Sequence, residues 1–579
     1  MRLLFDCVRT FDGLSVLPEA NVLVKDGRIA SVGPPGPTPP GADVVAGRGR
    51  TLLPGLIDCH THVQGTALAK SLVFGVTTSL DMFTDHRMAA EFRAGQEASG
   101  AVDRADLYSA GTLVTAPSGH GTQFLPGIPT ITGPEQAQTF VDARIAEGSD
   151  WIKIAYDDWQ AFGHRLPTIS RETLTAVIAA AHARGRLAIV HVTTMEHARD
   201  AIEARADALA HVFMDRLPPE GFGRLVADHN AFVIPTLSCL ESMAFRNGET
   251  GFAEDPRLAP YLTDKDIAQL RARSPFSVKP TYDVAETTVR MLHEAGVTVL
   301  AGTDAPTFGT MHGVSIHREL ELLVLAGLAP VEALAAATSA PATRFGLSDR
   351  GRIAPGLRAD LLLVRGDPTT DIAATRAIEG VWKLGVPTDR AAYRAQVTAR
   401  RAKARRQRHA PPPPGSESGL VSDFEDGQLG AAFGAGWSVV TDQMMHGASS
   451  AAIEIVEPGA AGTRRCMAVL GCLREHLPMW AGALFSPGSS QGSPANLSSW
   501  ESLSFWIRSD GSLVNVAVLS ITGGLVPRWQ RIVAGPDWEQ HSFPLSSFHT
   551  DGHDVIGVFF AVTEPPGSFV FQIDEVRFT

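Results

Sequence analysis

Between residue 57 and about residue 345 the chain alternates short apolar runs with amphipathic ones, eight times over, and few folds satisfy that pattern. The apolar runs are LIDCHTH (56–62), FGVTTSLDM (74–82), ADLYSAGTLVT (105–115) and SDWIKIAYDD (149–158). RLAIVHVTT (186–194), ADALAHVFMD (206–215), NAFVIPTLS (230–238) and VTVLAGTDAP (297–306) complete the set. Between them lie stretches such as RETLTAVIAAAHARG (171–185) and PPEGFGRLVADH (218–229), whose apolar residues recur at helical spacing. Eight strands, each followed by a helix, predict an α/β fold, a parallel (β/α)8 TIM barrel over 57–345. The insert 239–281, before the eighth strand, is the expected lid or pocket wall.

With 579 residues the chain is too long for one core. Residues 1–56 (NVLVKDGRIASVG) and 346–388 (GRIAPGLRADLLLVRGD, IEGVWKLGV) are β-rich and predict one small composite β-sandwich beside the barrel. Residues 389–419 read as a basic, helical run followed by the extended PPPPGSESG, a solvated linker without aromatics among its charges. From 420 to 579 six of the nine tryptophans gather in alternating stretches such as SLSFWIRSDG, which predicts an antiparallel sandwich. A net charge of −12 argues against a nucleic-acid surface. Five scattered cysteines offer neither a disulfide framework nor a CxxC site. No apolar run reaches membrane length, and the first residues read as a strand and turn. A cytoplasmic location is the default expectation, with export by a removed signal left open.

In a parallel barrel the chemistry sits at the C-terminal strand ends. Those ends carry His60 and His62 on the first strand, Lys153 on the fourth and His191 on the fifth. His211 ends the sixth and Asp304 the eighth. A lone HxH reads equally well as one core and one solvated histidine. Residues two apart on a strand share a face, however, and four histidines, a lysine and an aspartate on one rim point to a metal centre. His120, between two glycines in SGHGTQF, suits a substrate contact or an ordinary turn. Tyr156, Asp157 and His312 are further candidates for the pocket wall. His182, His197 and His229 fall on predicted helices and read as surface residues. There is no GxSxG elbow, and no GxGxxG after a first strand.

HTH after PGLID, then IKI, IVH, LAH and GTDAP, resembles the amidohydrolase superfamily in its imidazolonepropionase-like and prolidase-like branch. Further similarity lies in GHG (119–121), HGVSIHRELELLVLAGLAPVEALAAATSAPA (312–342) and GRIAPGLRADLLLV (351–364), so the resemblance spans residue 1 to about 388. It implies two divalent metal ions, usually zinc. His60 and His62 would hold one, His191 and His211 the other, with carboxylated Lys153 as a bridge and Asp304 on the first metal. A carbamate turns a cationic lysine, which would repel metal ions, into a bridging anion. Asp304 would act as general base on water between the metals, and His120 would help polarise the scissile carbonyl.

The expected activity is hydrolysis of the amide C–N bond of a small molecule, such as an N-acyl amino acid, a dipeptide or a xenobiotic amide. Lactone, ester or carbamate hydrolysis on the same centre is the alternative, and a mononuclear deaminase stands behind it. DFEDG (423–427), WSVVTDQMMHGASS (437–450), WEQHSFPLSSF (538–548) and FQIDEVRF (571–578) resemble the CIA30 and galactose-binding-like jelly-roll group. Some of those relatives bind carbohydrate, and some carry structural calcium. A carbohydrate-binding module with an inactive barrel is therefore the non-enzymatic reading. Homo-oligomers are open; nucleic-acid and membrane partners are not expected.

Overall fold

The structure, a computed structural model, describes residues 2–579 except 100, 126, 164, 247–250, 274–280, 409, 446, 475–478 and 523–527. The chain divides into two compact units, Met1–Tyr261 with Gln269–Ala395, and Leu262–Ala268 with Gln396–Thr579.

The first unit is a TIM-barrel-like α/β fold carrying a flanking sheet. Its parallel strands are β1 (Leu56–Thr61), β2 (Val76–Asp81), β3 (Asp106–Ser109), β4 (Ile152–Ala155), β5 (Ala188–His191), β6 (Ala208–Ala210), β7 (Phe232–Ile234) and β8 (Thr298–Val299). They form a three-stranded sheet, β1-β2-β3, and a five-stranded sheet in the order β8-β7-β6-β5-β4. Backbone bonds join these sheets at both margins. Val114, beyond β3, donates to the Lys153 carbonyl at 2.8 Å. On the other side Cys59 donates to Ala301 at 2.9 Å and His62 to Ala305 at 2.7 Å. The strands are shorter than the apolar runs that announced them, because their C-terminal ends leave the ladder to become loops.

Side chains alternate with period two along these strands. Ile152, Ile154, Ala188, Val190, Leu209 and Val233 join the apolar layer shared with the helices. Ile189, Ala208, Ala210, Phe232 and Ile234 fill the interior. Lys153, between two outward isoleucines, is thereby committed to the inside. The helices follow from their sequences. Arg171–Ala183 starts at Ser170, whose hydroxyl accepts from the Thr173 N–H, carries Glu172 in its first turn and buries Leu174, Val177, Ile178 and Ala181 on one face. Met195–Glu203 is capped by Thr194, which accepts from the His197 N–H.

The expected small sandwich is hydrogen-bonded as one eight-stranded sheet. Strand Arg2–Phe11 breaks register around Cys7, whose φ is +51°. The first part of the strand therefore pairs with Asp43–Ala46 and the second with Arg50–Pro54. The run read as a solvated linker contains the helix Arg390–Arg408. It does not begin in solvent, since Arg390 is buried and donates to the carbonyls of Val73 (2.9 Å) and Ile378 (2.7 Å). The described part of the 239–281 insert holds the helices Leu237–Met243 and Asp264–Arg271 and two short 3-10 turns; residues 247–250 and 274–280 of it lie outside the described residues.

The second unit is β-rich. A six-stranded and a five-stranded antiparallel sheet share one core, with Met467, Phe505 and Phe571 from the first and Phe485, Val516 and Phe560 from the second. No helix among the described residues is long and apolar enough to cross a membrane.

Candidate metal centre

The strand ends bring His60, His62, His211 and His191 into one row. Ring centroids are 5.4 Å apart for His60 and His62, 4.7 Å for His60 and His211, and 4.7 Å for His191 and His211. Asp304 Oδ1 lies 3.3 Å from His60 Nε2 and 2.9 Å from His62 Nε2. His60, His62 and Asp304 thus form one group with the spacing of a metal site. Two of these positions are strained: His211 and Asp304 hold φ of +70° and +55°, in the left-handed region that non-glycine residues rarely adopt. Gly302 makes room for the turn. A Cβ there would meet Ile234 Cγ2 at 2.5 Å and His60 Cβ at 2.9 Å.

Hydrogen bonds decide which ring nitrogens face the cavity. The Phe83 carbonyl, 2.9 Å from His62 Nδ1, can only accept, so Nδ1 carries the proton and Nε2 the lone pair. That lone pair faces Asp304 Oδ1, another electron-pair donor, and such a contact needs a proton or a metal cation between them. Thr236 Oγ1 donates to the Pro235 carbonyl at 2.8 Å and so accepts from His211 Nδ1 at 2.6 Å, leaving His211 Nε2 free. His60 Nδ1 and Lys153 Nζ are buried and have no hydrogen-bond partner among the described residues. The donor set therefore fits divalent metal ions.

Electrostatics agree. Burial drives the His60 and His211 imidazoles well below the ordinary histidine range, so they are neutral ligands. Burial also opposes charge on His62, but its bond to Asp304 raises it. Desolvation pulls Lys153 down to about 7 against the attraction of Asp304 and Asp81, which leaves an amine able to react near neutral pH. Burial would raise Asp304, yet the hydrogen bond with His62 holds its carboxyl well below the usual range.

The other candidates take distinct places. His120 stacks on His191 with centroids 4.3 Å apart and accepts at Nδ1 from the Trp159 indole N–H at 2.7 Å. Burial would raise Asp157, but bonds from His191 and Thr193 bring it down to about 2. Asp157 Oδ2 lies 3.3 Å from His191 Nε2. The Tyr156 hydroxyl donates to Asp200 at 3.0 Å. His312 Nε2 donates to the His62 carbonyl at 3.1 Å. His197 is a correction, because its side chain is 15% exposed, with Nδ1 3.9 Å from Asp157 Oδ1. A helix position does not reveal which face is covered. His182, 38% exposed, bonds Asp207, and His229 bonds the Leu225 carbonyl.

Sequence reasoning passed over Asp58, Thr236, Cys239 and Trp159. Asp58 accepts from the His60 N–H and from the Thr303 N–H and hydroxyl, and burial raises it to about 7. The Cys239 thiol donates to Asp304 Oδ2 at 3.3 Å. Asp58 had a signal, lying in IDCHTH itself; the others depend on loop paths that no local pattern encodes.

The TIM-barrel-like scaffold thus gathers histidines, a buried amine without a hydrogen-bond partner among the described residues and an ionised aspartate at its strand ends, a candidate metal centre. Residues 51–388 match the profile of the amidohydrolase family, and the chain belongs to that family. It is a hydrolase acting on carbon–nitrogen bonds. The imidazolonepropionase of Cereibacter sphaeroides is 26% identical, over 65% of this chain and 93% of its own length. The ochratoxinase of Aspergillus niger is 25% identical, with 58% and 75% covered. A solved Xaa-Pro dipeptidase with methionine bound in its active site is similar in fold, with a TM-score of 0.54 at 22% identity, covering 67% of this chain and 99% of that one.

Proposed function

We propose that this chain is a metal-dependent amidohydrolase that cleaves the amide bond of a small substrate, such as an N-acyl amino acid, a dipeptide or a xenobiotic amide. His60, His62 and Asp304 would hold one divalent ion and His191 and His211 a second, zinc being the first candidate, with carboxylated Lys153 shared between them. The observation that carries this reading is the buried Lys153 Nζ, without a partner and brought down to about 7, beside histidines whose free nitrogens turn inward. A neutral amine is the form that adds carbon dioxide, and the resulting anion would help balance the charge of the divalent ions that these electron-pair donors would hold.

Divalent ions bound there supply Lewis acidity and acidify water near neutral pH. Asp304 takes the proton of the attacking water and returns it to the leaving nitrogen. His120 donates a hydrogen bond to the carbonyl oxygen as charge develops on it. Thr236 and the Phe83 carbonyl hold His211 and His62 in the tautomers that ligation needs. The relatives named as imidazolonepropionase, ochratoxinase and Xaa-Pro dipeptidase support a small substrate with a C–N bond. For the second unit we read a galactose-binding-like jelly roll, supported by its two antiparallel sheets around one core.

The test is metal content per chain together with turnover across N-acyl amino acids, Xaa-Pro dipeptides, aryl amides, lactones and aryl esters. Amide turnover that a chelator abolishes and zinc restores is the expected result. Turnover confined to lactones and esters, or indifferent to chelation, overturns it.

A further inference from the structure

His120 stands next to two residues with which it forms a potential ligand group, Asp157 and His191. It has two chemical futures there, as a metal ligand through a lone pair or as a hydrogen-bond donor through an N–H. Its neighbours decide. The Trp159 indole nitrogen, which can only donate, lies 2.7 Å from His120 Nδ1. The Gln123 side-chain amide approaches the same atom at 3.5 Å, while its own oxygen accepts from the Gly121 N–H at 2.8 Å. Two donors thus converge on Nδ1. A proton on that atom would set N–H against N–H, so a neutral His120 keeps its proton on Nε2.

Trp159 is held for this purpose. Its φ of +60° is in the left-handed region, costly for a bulky residue. The conformation is fixed by the Trp159 N–H donating to Asp157 Oδ1 at 3.1 Å and by the indole packing edge-on to Phe162 with centroids 5.5 Å apart. Asp157 is itself anchored by the Thr193 hydroxyl. The orienting chain runs Thr193, Asp157, Trp159, His120.

We propose that Trp159 is a positioning residue that locks His120 as an Nε2–H donor, which keeps it from ligating metal and reserves it for the oxygen of the scissile carbonyl. The catalytic half of this statement rests on the amide-hydrolase reading; the tautomer half does not.

The closing experiment has two arms. In the first, protein labelled with 15N at histidine is observed by NMR, with the His120 signals identified by their loss in His120→Gln. The Nε2–H tautomer in the wild type, and a mixture with the Nδ1–H form in Trp159→Phe, is the expected result. A wild-type Nδ1–H tautomer, or an unchanged Trp159→Phe, overturns the proposal. In the second, metal content and kinetics are compared for Trp159→Phe, His120→Ala and the double variant. Trp159→Phe should keep its metal and its KM and lose about 10-fold in kcat, the scale of one hydrogen bond to a reacting group. It should lose nothing further in the His120→Ala background. An equal loss in that background would make the indole merely structural, and loss of metal from His120→Ala would make His120 a ligand; either result overturns the proposal. Absence of turnover by the wild type on every amide sinks the hydrolase reading, and the tautomer arm still decides the indole's role.

Discussion

Two lysines are buried in the first unit, and their surroundings are opposite. Lys383 is fully enclosed near the N-terminal ends of β2 and β3, and its ammonium donates to Asp106 at 2.7 Å, to Asp360 at 3.0 Å and to the Thr77 carbonyl at 3.1 Å. Arg350 and Arg358 close the network on the same carboxylates. Lys153, 3% exposed, lies inside β4 with no hydrogen-bond partner among the described residues. A buried charge persists only when paired, so the first lysine is a fastener between the flanking sheet and the strands, whereas the second is an amine whose burial lowers its hold on a proton. Ion pairs close one end of the strands, and the candidate metal centre lies at the other.

The largest effect expected is on Lys153. Lys153→Ala removes the proposed shared anion, and at least one of the proposed metal ions should leave with it. Turnover should fall about 1000-fold or more, the several kcal/mol that metal chemistry supplies. A short carboxylic acid added from solution should restore part of both. Lys153→Arg should not, because a guanidinium stays cationic and carries no carbamate. Urea unfolding of the metal-free variant should show no loss of stability, since the residue removed had no partner. A metal-free wild type clearly more stable than Lys153→Ala would erase the contrast with Lys383.

Lys383→Met is the mirror experiment. It leaves Asp106 and Asp360 buried with less compensation and should cost about 3–5 kcal/mol in urea unfolding. The kcat of the folded fraction should stay near wild type, because the network is remote from His60 and Asp304. A variant with unchanged stability and reduced kcat would reverse the two roles.

Asp304→Asn keeps the shape and one oxygen but removes the base. A fall of about 100-fold in kcat is expected, within the range of general-base loss. Metal analysis should show the ion at His191 and His211 retained. Rates near wild type would take Asp304 out of the proton path.

Much of this contrast was legible in one dimension. His60 and His62 sit two apart at the end of an apolar run, and Lys153 interrupts two isoleucines, so period-two alternation alone turns them inward. Lys383 was not legible. Its partners Asp106 and Asp360 come from β3 and from the residue before the strand Leu361–Arg365, more than 200 positions later, and nothing local announces a meeting over that distance. The joining of both flanks into one β element was legible, but its pairing as a single sheet was not, because a bulge at Cys7 decides that one strand serves two partners. His197 was misplaced because sequence identifies a helix more easily than the face it covers. Trp159 and Thr236 owe their roles to left-handed backbone turns at strand exits, where side-chain direction follows from the loop.

The smallest effect tests how far the candidate metal centre extends. Thr236 is fully buried at the exit of β7, and its hydroxyl links the Pro235 carbonyl to His211 Nδ1. Thr236→Val keeps the branched shape but removes the acceptor. The His211 Nδ1–H is then unpaired, and the imidazole can shift its proton to the nitrogen that should hold metal. Zinc affinity, measured by competition with a chromophoric chelator, should weaken on the order of 10-fold, as expected for the loss of a partner that orients a ligand. Stability should drop by only about 1–3 kcal/mol, the cost of one buried donor left unmet. Thr236→Ser, which keeps the hydroxyl, should restore the affinity. Unchanged zinc binding in Thr236→Val would show that His211 needs no orienting partner, and the region shaped for metal would then end at the six strand-end residues themselves.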